Sequence, residues 1–202
     1  MQCGFKLHDT MIYQRRTPPR THKRYEQEFD FMFVLVKGKI KTFNPLLCKR
    51  SLIRPNLHNK AKGFRREKDG SVDMGVYKQN SDMVLRGNIW RYPSGRYATK
   101  DKIAFQHPAI FSEALAQDHI LSWSNEGDIV LDCFCGSGTT PKMAKILTRH
   151  YIGIDTSAEY VALANERLAQ VERGLTPREP DSLKAGDSCL PDVVQSESNL
   201  PA

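Results

Sequence analysis

Asp128-Ile129-Val130-Leu131-Asp132-Cys133-Phe134-Cys135-Gly136-Ser137-Gly138-Thr139-Thr140 reads as a short buried strand that ends in a carboxylate, turns through glycines and starts a helix. A second cycle follows. The helix from Thr140 to about Arg149 gives way to the strand Tyr151-Ile152-Gly153-Ile154, which also ends in a carboxylate, Asp155, before a helix from Ser157 to about Val171. One βαβα unit therefore spans residues 128–171, and the fold class is α/β. Just upstream, Pro108 to Leu121 sets Ile110, Phe111, Ala114, Leu115 and Ile120 along a helical stripe, with Pro108 near the first turn.

Further upstream the pattern changes. Phe5 to Tyr13 alternates like a strand and runs into the breaker Thr17-Pro18-Pro19. Phe29 to Val36 is almost entirely apolar and returns after Lys37-Gly38-Lys39 in Ile40 to Phe43, which predicts a hairpin in a buried sheet. From Asn44 to about Tyr97 the sequence dissolves into Lys, Arg, Asn, Gly and scattered aromatics, the composition of a long functional insert with little core of its own. Beyond Gly174 the chain is rich in Pro, Ser, Asp and Glu and is expected to be disordered. There is no internal repeat.

At 202 residues, 40% apolar and 26% charged, the chain has the composition of a globular protein able to bury a real core. No apolar run approaches the roughly eighteen residues of a membrane span, and no secretory signal opens the sequence, so a cytoplasmic protein is expected. The five cysteines are scattered and odd in number, which predicts reduced thiols. Charge is divided unevenly. Residues 1–100 carry 22 Lys and Arg against 8 Asp and Glu, a net +14, while residues 101–202 carry 8 against 15, a net −7. A basic half with interleaved aromatics suits a polyanion such as nucleic acid, because neutralised phosphates release counterions; a merely solvated basic surface is the alternative.

Gly136-Ser137-Gly138 alone is weak evidence, since such turns let many helices pack close to their strands. Asp132 and Asp155 add weight, because they fall at adjacent strand ends, where open α/β sheets bind ligands. A nicotinamide dinucleotide would use Asp155 for its ribose, but Pro141 replaces the third glycine of the fingerprint and Asp132 would repel a pyrophosphate. S-adenosylmethionine fits better. Its ammonium and sulfonium attract a carboxylate near the turn, and its ribose still needs an acceptor such as Asp155.

Leu131-Asp132-Cys133-Phe134-Cys135-Gly136-Ser137-Gly138-Thr139-Thr140, followed by Tyr151-Ile152-Gly153-Ile154-Asp155 and Glu159-Tyr160, resembles the cofactor half of the β-class DNA amino-methyltransferases. That family reads D-P-F-x-G-S-G-T-T in the first stretch; here Cys133 stands where proline is usual. His107-Pro108-Ala109-Ile110-Phe111 resembles the family's H-P motif at the methionine end, and Asn88 to Tyr92, Phe5 to Tyr13 and Phe29 to Pro45 resemble segments that precede it. The resemblance covers about residues 3–171. It implies a Rossmann-like methyltransferase fold with an incomplete mixed sheet and a basic irregular insert. It also implies S-adenosylmethionine as cofactor, held by His107, Pro108, Asp132, Phe134, Gly136, Ser137, Gly138, Thr139 and Asp155. The expected partner is double-stranded DNA with a flipped base, methylated at an exocyclic amine of adenine or cytosine.

One family motif is absent. No [DNS]-P-P-[YFW] tetrapeptide, whose carbonyl and first side chain hold the target amine in the family, occurs in the sequence. Pro18-Pro19 is flanked by Thr17 and Arg20 and falls after the first strand, so it reads as a loop feature. No catalytic residue is assigned. The chain is expected to be the C-terminal portion of a larger enzyme, inactive alone, with an upstream catalytic segment as a possible separate chain. The other reading is a non-catalytic DNA- and cofactor-binding remnant or subunit.

Cys133-x-Cys135 lacks the neighbouring ligands a tetrahedral metal site needs, so no metal is expected. His107 reads as a pocket-lining imidazole rather than a base. Arg86, Arg91 and Arg96 suit phosphates, and Trp90 suits a base, although the aromatics serve equally well as anchors to a core. The expected organisation is a partial core at 1–45, a basic insert for target recognition at 46–100, the cofactor part at 101–171 and an acidic tail at 172–202.

Overall fold

The computed structural model describes residues 3–15, 23, 25–49, 60–78 and 83–172. Pro18-Pro19 and the tail from residue 173 lie outside the described residues. The chain divides into two units, Met1–Pro45 with Asn88–Ser182, and Leu46–Gly87 with Leu183–Ala202.

In the first unit β1 (Phe5–Arg15) is the middle strand of a three-stranded sheet, antiparallel to β2 (Phe29–Lys37) and parallel to β7 (Ile89–Tyr92). Alternation gives this sheet two unlike faces. Met11, Met32, Trp90 and Tyr92 face α1 (Glu113–Trp123), where His119 Nε2 lies 3.3 Å from Met32 Sδ, the Trp90 and His119 rings are 4.7 Å apart, and the Tyr92 hydroxyl donates to Asp118. The opposite face carries Phe31, Phe33 and Leu35, all exposed.

The other side of α1 packs on α2 (Thr139–Ile146). Ala116, Ile120, Met143, Ala144 and Leu147 form this core, with Val130 of β8 (Ile129–Asp132) against it. After α2 the chain crosses to β9 (His150–Gly153), parallel to β8 with Asp132 opposite Gly153, and continues into α3 (Ala158–Ala169). The βαβα unit is thus present, its ends displaced by up to three residues from the sequence reading.

Two sequence expectations are corrected here. The partner of β2 is β1, not Ile40 to Phe43, which runs as irregular chain and places Phe43 4.9 Å from the Trp123 ring. An apolar return after Gly38 resembles a hairpin, but β1 offers nine paired positions and a longer ladder. Pro108 is not in the first turn of α1, which starts only after Ser112. His107 Nδ1 accepts the Ala109 amide at 3.1 Å, a local bond that holds residues 107–109 in a bend instead of a helix.

The second unit contains two antiparallel pairs, β3 (Leu47–Lys49) with β6 (Met83–Leu85), and β4 (Lys60–Arg66) with β5 (Val72–Lys78). The stretch read as irregular insert therefore has ladders of its own, and its last residues, Ile89 to Tyr92, belong to the sheet of the first unit.

Candidate functional site

The site forms where β8 and β9 end. Ile154 N donates to Asp132 O at 2.8 Å and Cys135 N to Ile154 O at 2.9 Å, so pairing continues past both strands and brings the two acidic ends side by side. Asp132 Oδ1 accepts the Phe134 amide at 3.0 Å and turns the chain at once, leaving the Phe134 ring 90% exposed. Asp155 Oδ1 accepts the Ser157 amide and Oδ2 the Gly136 amide, both at 2.9 Å. These amides hold the Asp155 carboxyl below the usual carboxylate range against a smaller push from burial.

Gly136 and Gly138 have φ of 48° and 77°, a region L side chains rarely adopt. A Cβ at Gly136 would sit 3.0 Å from His107 Nε2, and one at Gly138 2.6 Å from the Ala164 Cβ. Glycine here lets a histidine close over one side of the turn while α3 closes against the other. The His107 ring is in turn 4.3 Å from that of Tyr160.

A cavity of about 310 Å³ opens between these walls. Six expected cofactor residues line it, His107, Asp132, Phe134, Gly136, Ser137 and Thr139. Gly138 and Asp155 shape the turn without lining the cavity, and Pro108 is not on its wall. Phe111, expected in the helical stripe, lines it too. The volume lies within the range of small-ligand pockets. A carboxylate beside an aromatic ring, with a second strand-end carboxylate behind the turn, fits a ligand bearing an ammonium and ribose hydroxyls. Burial first, then the charges of Asp132 and Asp155, pushes the Cys135 thiol up. Among the described residues no group of three or more His, Cys, Asp and Glu is placed to hold a metal ion.

Beneath the turn lies a charge network that the sequence reading missed. Arg167, near the end of α3, has a wholly buried side chain. Its Nη1 donates to Ser137 O at 2.5 Å, Ser137 Oγ at 3.0 Å and Thr139 Oγ1 at 3.2 Å. Nε reaches Asp101 Oδ2 at 2.8 Å and Nη2 reaches Glu113 Oε1 at 3.1 Å. Lys142 Nζ bonds the same two carboxylates at 2.8 and 2.7 Å. Burial pushes the Asp101 carboxyl up, but bonds from Arg167 and Lys142 outweigh it and hold it down at about 2. The missed signal is visible in retrospect. Arg167 occupies an inward position between Leu163, Ala164 and Leu168, where a buried charge requires partners.

The expected DNA-binding residues are scattered. Trp90 is 4% exposed and its ring belongs to the core, because β7 alternates Trp90 and Tyr92 onto the face that meets α1. Arg91 donates from Nε and Nη2 to Gln14 Oε1 at 3.2 and 2.8 Å. Arg96 falls in a short 3-10 turn, Gly95–Tyr97, and Arg86 is half-buried in the second unit.

A parallel strand pair whose acidic ends flank a glycine turn defines a class, the α/β proteins that bind nucleoside-containing ligands at the carboxyl ends of their strands. Within that class, residues 1–166 match the DNA methylase family of the N6/N4 type, and the chain belongs to it. It is 53% identical over 171 residues to the orphan methyltransferase M.BamHII of Bacillus amyloliquefaciens, matching 83% of this chain and 64% of that one. With the DNA adenine methyltransferase YhdJ of Escherichia coli it shares 43% identity over 82 residues, 41% of this chain and 27% of the relative. The solved M1.HpyAVI-SAM complex superposes with a TM-score of 0.51 at 33% identity, over 82% of this chain and 63% of that structure. The cytosine-N4-specific PvuII DNA methyltransferase, at 15% identity and a TM-score of 0.58 over 87% of this chain and 55% of that one, shares the fold. The chain spans just under two thirds of the length of M.BamHII and of M1.HpyAVI. Among the described residues no helix is long and apolar enough to cross a membrane.

Proposed function

We propose that this chain binds S-adenosylmethionine in the cavity beneath His107 and serves methylation of an exocyclic amine, adenine-N6 or cytosine-N4, of a base flipped out of DNA. The observation that carries the reading is the turn itself. Asp132 and Phe134 line a cavity whose floor is set by two positive-φ glycines, while Asp155 fixes the Gly136 amide from behind. When bound, the cofactor supplies an electrophilic methyl group on a sulfonium. The chain's residues do the rest. In this reading Asp132 faces the ammonium end, Asp155, at the neighbouring strand end and off the cavity wall, takes a ribose hydroxyl that reaches past that wall, and Phe134 offers a ring face. His107 closes the side of the cavity nearest Gly136.

The basic second unit supports the DNA part of the reading. In the β4–β5 ribbon Lys60 pairs with Lys78, and Lys62 and Arg66 fall at alternate positions of the same face. The 202 residues hold no [DNS]-P-P-[YFW] tetrapeptide, so the acceptors that meet the amine protons must come from elsewhere. That absence also favours a second reading, a DNA- and cofactor-binding subunit without turnover. Tritiated methyl transfer to mixed-sequence DNA separates the two. The chain alone should give a blank, and addition of a D-P-P-Y-containing segment of a relative, in cis or as a separate chain, should restore turnover. Activity of the chain alone would remove the argument from the missing tetrapeptide. Failure of every supplied segment would favour the subunit without turnover.

A further inference from the structure

We infer that Arg167 is a positioning residue for the cofactor turn, orienting the Ser137–Gly138 peptide and coupling that turn to the segment carrying His107 through Asp101 and Glu113. The inference rests on the cavity being a cofactor site, as proposed above. Three features carry it. The Ser137–Gly138 peptide is held at both ends, its carbonyl by Arg167 Nη1 at 2.5 Å and its N–H by Cys135 O at 2.7 Å. That peptide lies in a turn whose Gly136 and Gly138 both occupy the left-handed region, which L side chains rarely adopt, so its orientation depends on the bonds at its two ends. The guanidinium is wholly buried and spends every nitrogen on a partner, three acceptors on the turn and α2 and two carboxylates outside it.

The carboxylates explain the coupling. Asp101 caps the 3-10 turn Lys102–Gln106, accepting the Ile103 amide at 3.1 Å, and that turn leads directly into His107. Glu113 opens α1 at the other end of the His107 segment and also accepts Thr99 Oγ1 at 2.8 Å. Both walls of the cavity, the His107 segment and the glycine turn, are therefore fastened to one guanidinium, with Lys142 of α2 balancing the second carboxylate. A planar fork with five donors can satisfy this set; an ammonium cannot span it.

The test compares wild type with Arg167→Lys, which keeps the charge, by hydrogen exchange and by calorimetric titration with S-adenosylhomocysteine, both on the full chain. Exchange should rise selectively in Cys133–Lys142 and around Lys102–Gln106 while β1 and β2 stay protected, and affinity should fall about ten-fold, as for loss of a charge-assisted bond. If Arg167→Lys does not fold, Asp101→Asn, which leaves an uncharged acceptor in place, should give the same selective pattern more weakly. Unchanged exchange at the turn, or an equal rise in every segment, would overturn the positioning role in favour of a merely structural one. Wild-type protein that binds no S-adenosylhomocysteine would sink the cofactor reading alone, because the exchange measurement needs no ligand.

Discussion

Asp155 is the residue on which the cofactor reading is most exposed to test. Its two oxygens already hold the Gly136 and Ser157 amides, so removing it unpins the turn and, in the proposed reading, takes away the ribose acceptor as well. Asp155→Ala should weaken S-adenosylhomocysteine binding by about ten-fold or more, and a calorimetric affinity equal to wild type would take Asp155 out of the site. Asp101 gives a prediction in pH. Its folded value of about 2 lies below the ordinary aspartate value. A depressed carboxyl stabilises the fold fully above the unfolded value, and the contribution is lost as pH falls toward the folded one. Between about pH 5 and pH 2 the chain should therefore lose on the order of 1 kcal/mol through this group, after allowance for solvent screening. Asp101→Asn should flatten that slope in urea melts. What was legible at this scale were residues whose type is unusual for their place, glycines between a strand and a helix and acids ending apolar strands. Arg167 and Lys142 were not legible. Their partners Asp101 and Glu113 lie well away in sequence, and only the fold brings the four together.

Elements were legible where periodicity was strong and local. The β8–α2–β9–α3 run came through because each element is closed by its own signal, including Ser157, whose Oγ accepts the Tyr160 amide at 3.3 Å to cap α3. The β1–β2 pairing was not, because an antiparallel partner across a long loop leaves no mark that distinguishes it from the nearer apolar run at Ile40. The end of α2 shows a feature that sequence alone passes over. Arg149 N bonds Ala144 O at 2.8 Å and Thr148 N bonds Lys145 O at 3.2 Å, the double closure that normally has glycine at the position Thr148 occupies. Thr148 sits there with φ of 63°, which costs a β-branched residue about 1 kcal/mol or more. Thr148→Gly should raise stability by about 0.5–1 kcal/mol, allowing for glycine's greater freedom in the unfolded chain and for loss of the bond from Thr148 Oγ1 to Leu147 O. A urea midpoint that stays or falls would show that the hydroxyl bond outweighs the backbone strain.

The whole molecule combines a pocket that attracts cationic groups with a chain whose first hundred residues carry a net +14, from 22 Lys and Arg against 8 Asp and Glu. It also leaves an apolar face uncovered in the first unit, where Phe29, Phe31 and Phe33 lie ring to ring at 5.3 and 5.9 Å along β2. Such a face promotes association, so binding measurements belong at low protein concentration. Composition points to a polyanion but not to the residues that would meet it, because charge counts ignore which cations the fold consumes. Arg91 is spent on Gln14, and Arg167 and Lys142 on Asp101 and Glu113, all within the first unit. In the second unit Lys60, Lys62, Arg66 and Lys78 fall on the β4–β5 ribbon, Lys60 opposite Lys78. Because each neutralised phosphate releases close to one counterion, several such pairings make affinity fall by orders of magnitude between about 50 and 200 mM salt. Mixed-sequence duplex DNA should therefore bind the full chain with that steep slope. Replacing Lys60, Lys62 and Lys78 with Gln should lower the slope by roughly one unit for each phosphate left without its cation. Arg91→Gln should leave it unchanged. Filter binding across that salt range decides: a shallow slope in wild type, or a slope untouched by the ribbon substitutions, would mean that the ribbon does not grip phosphate.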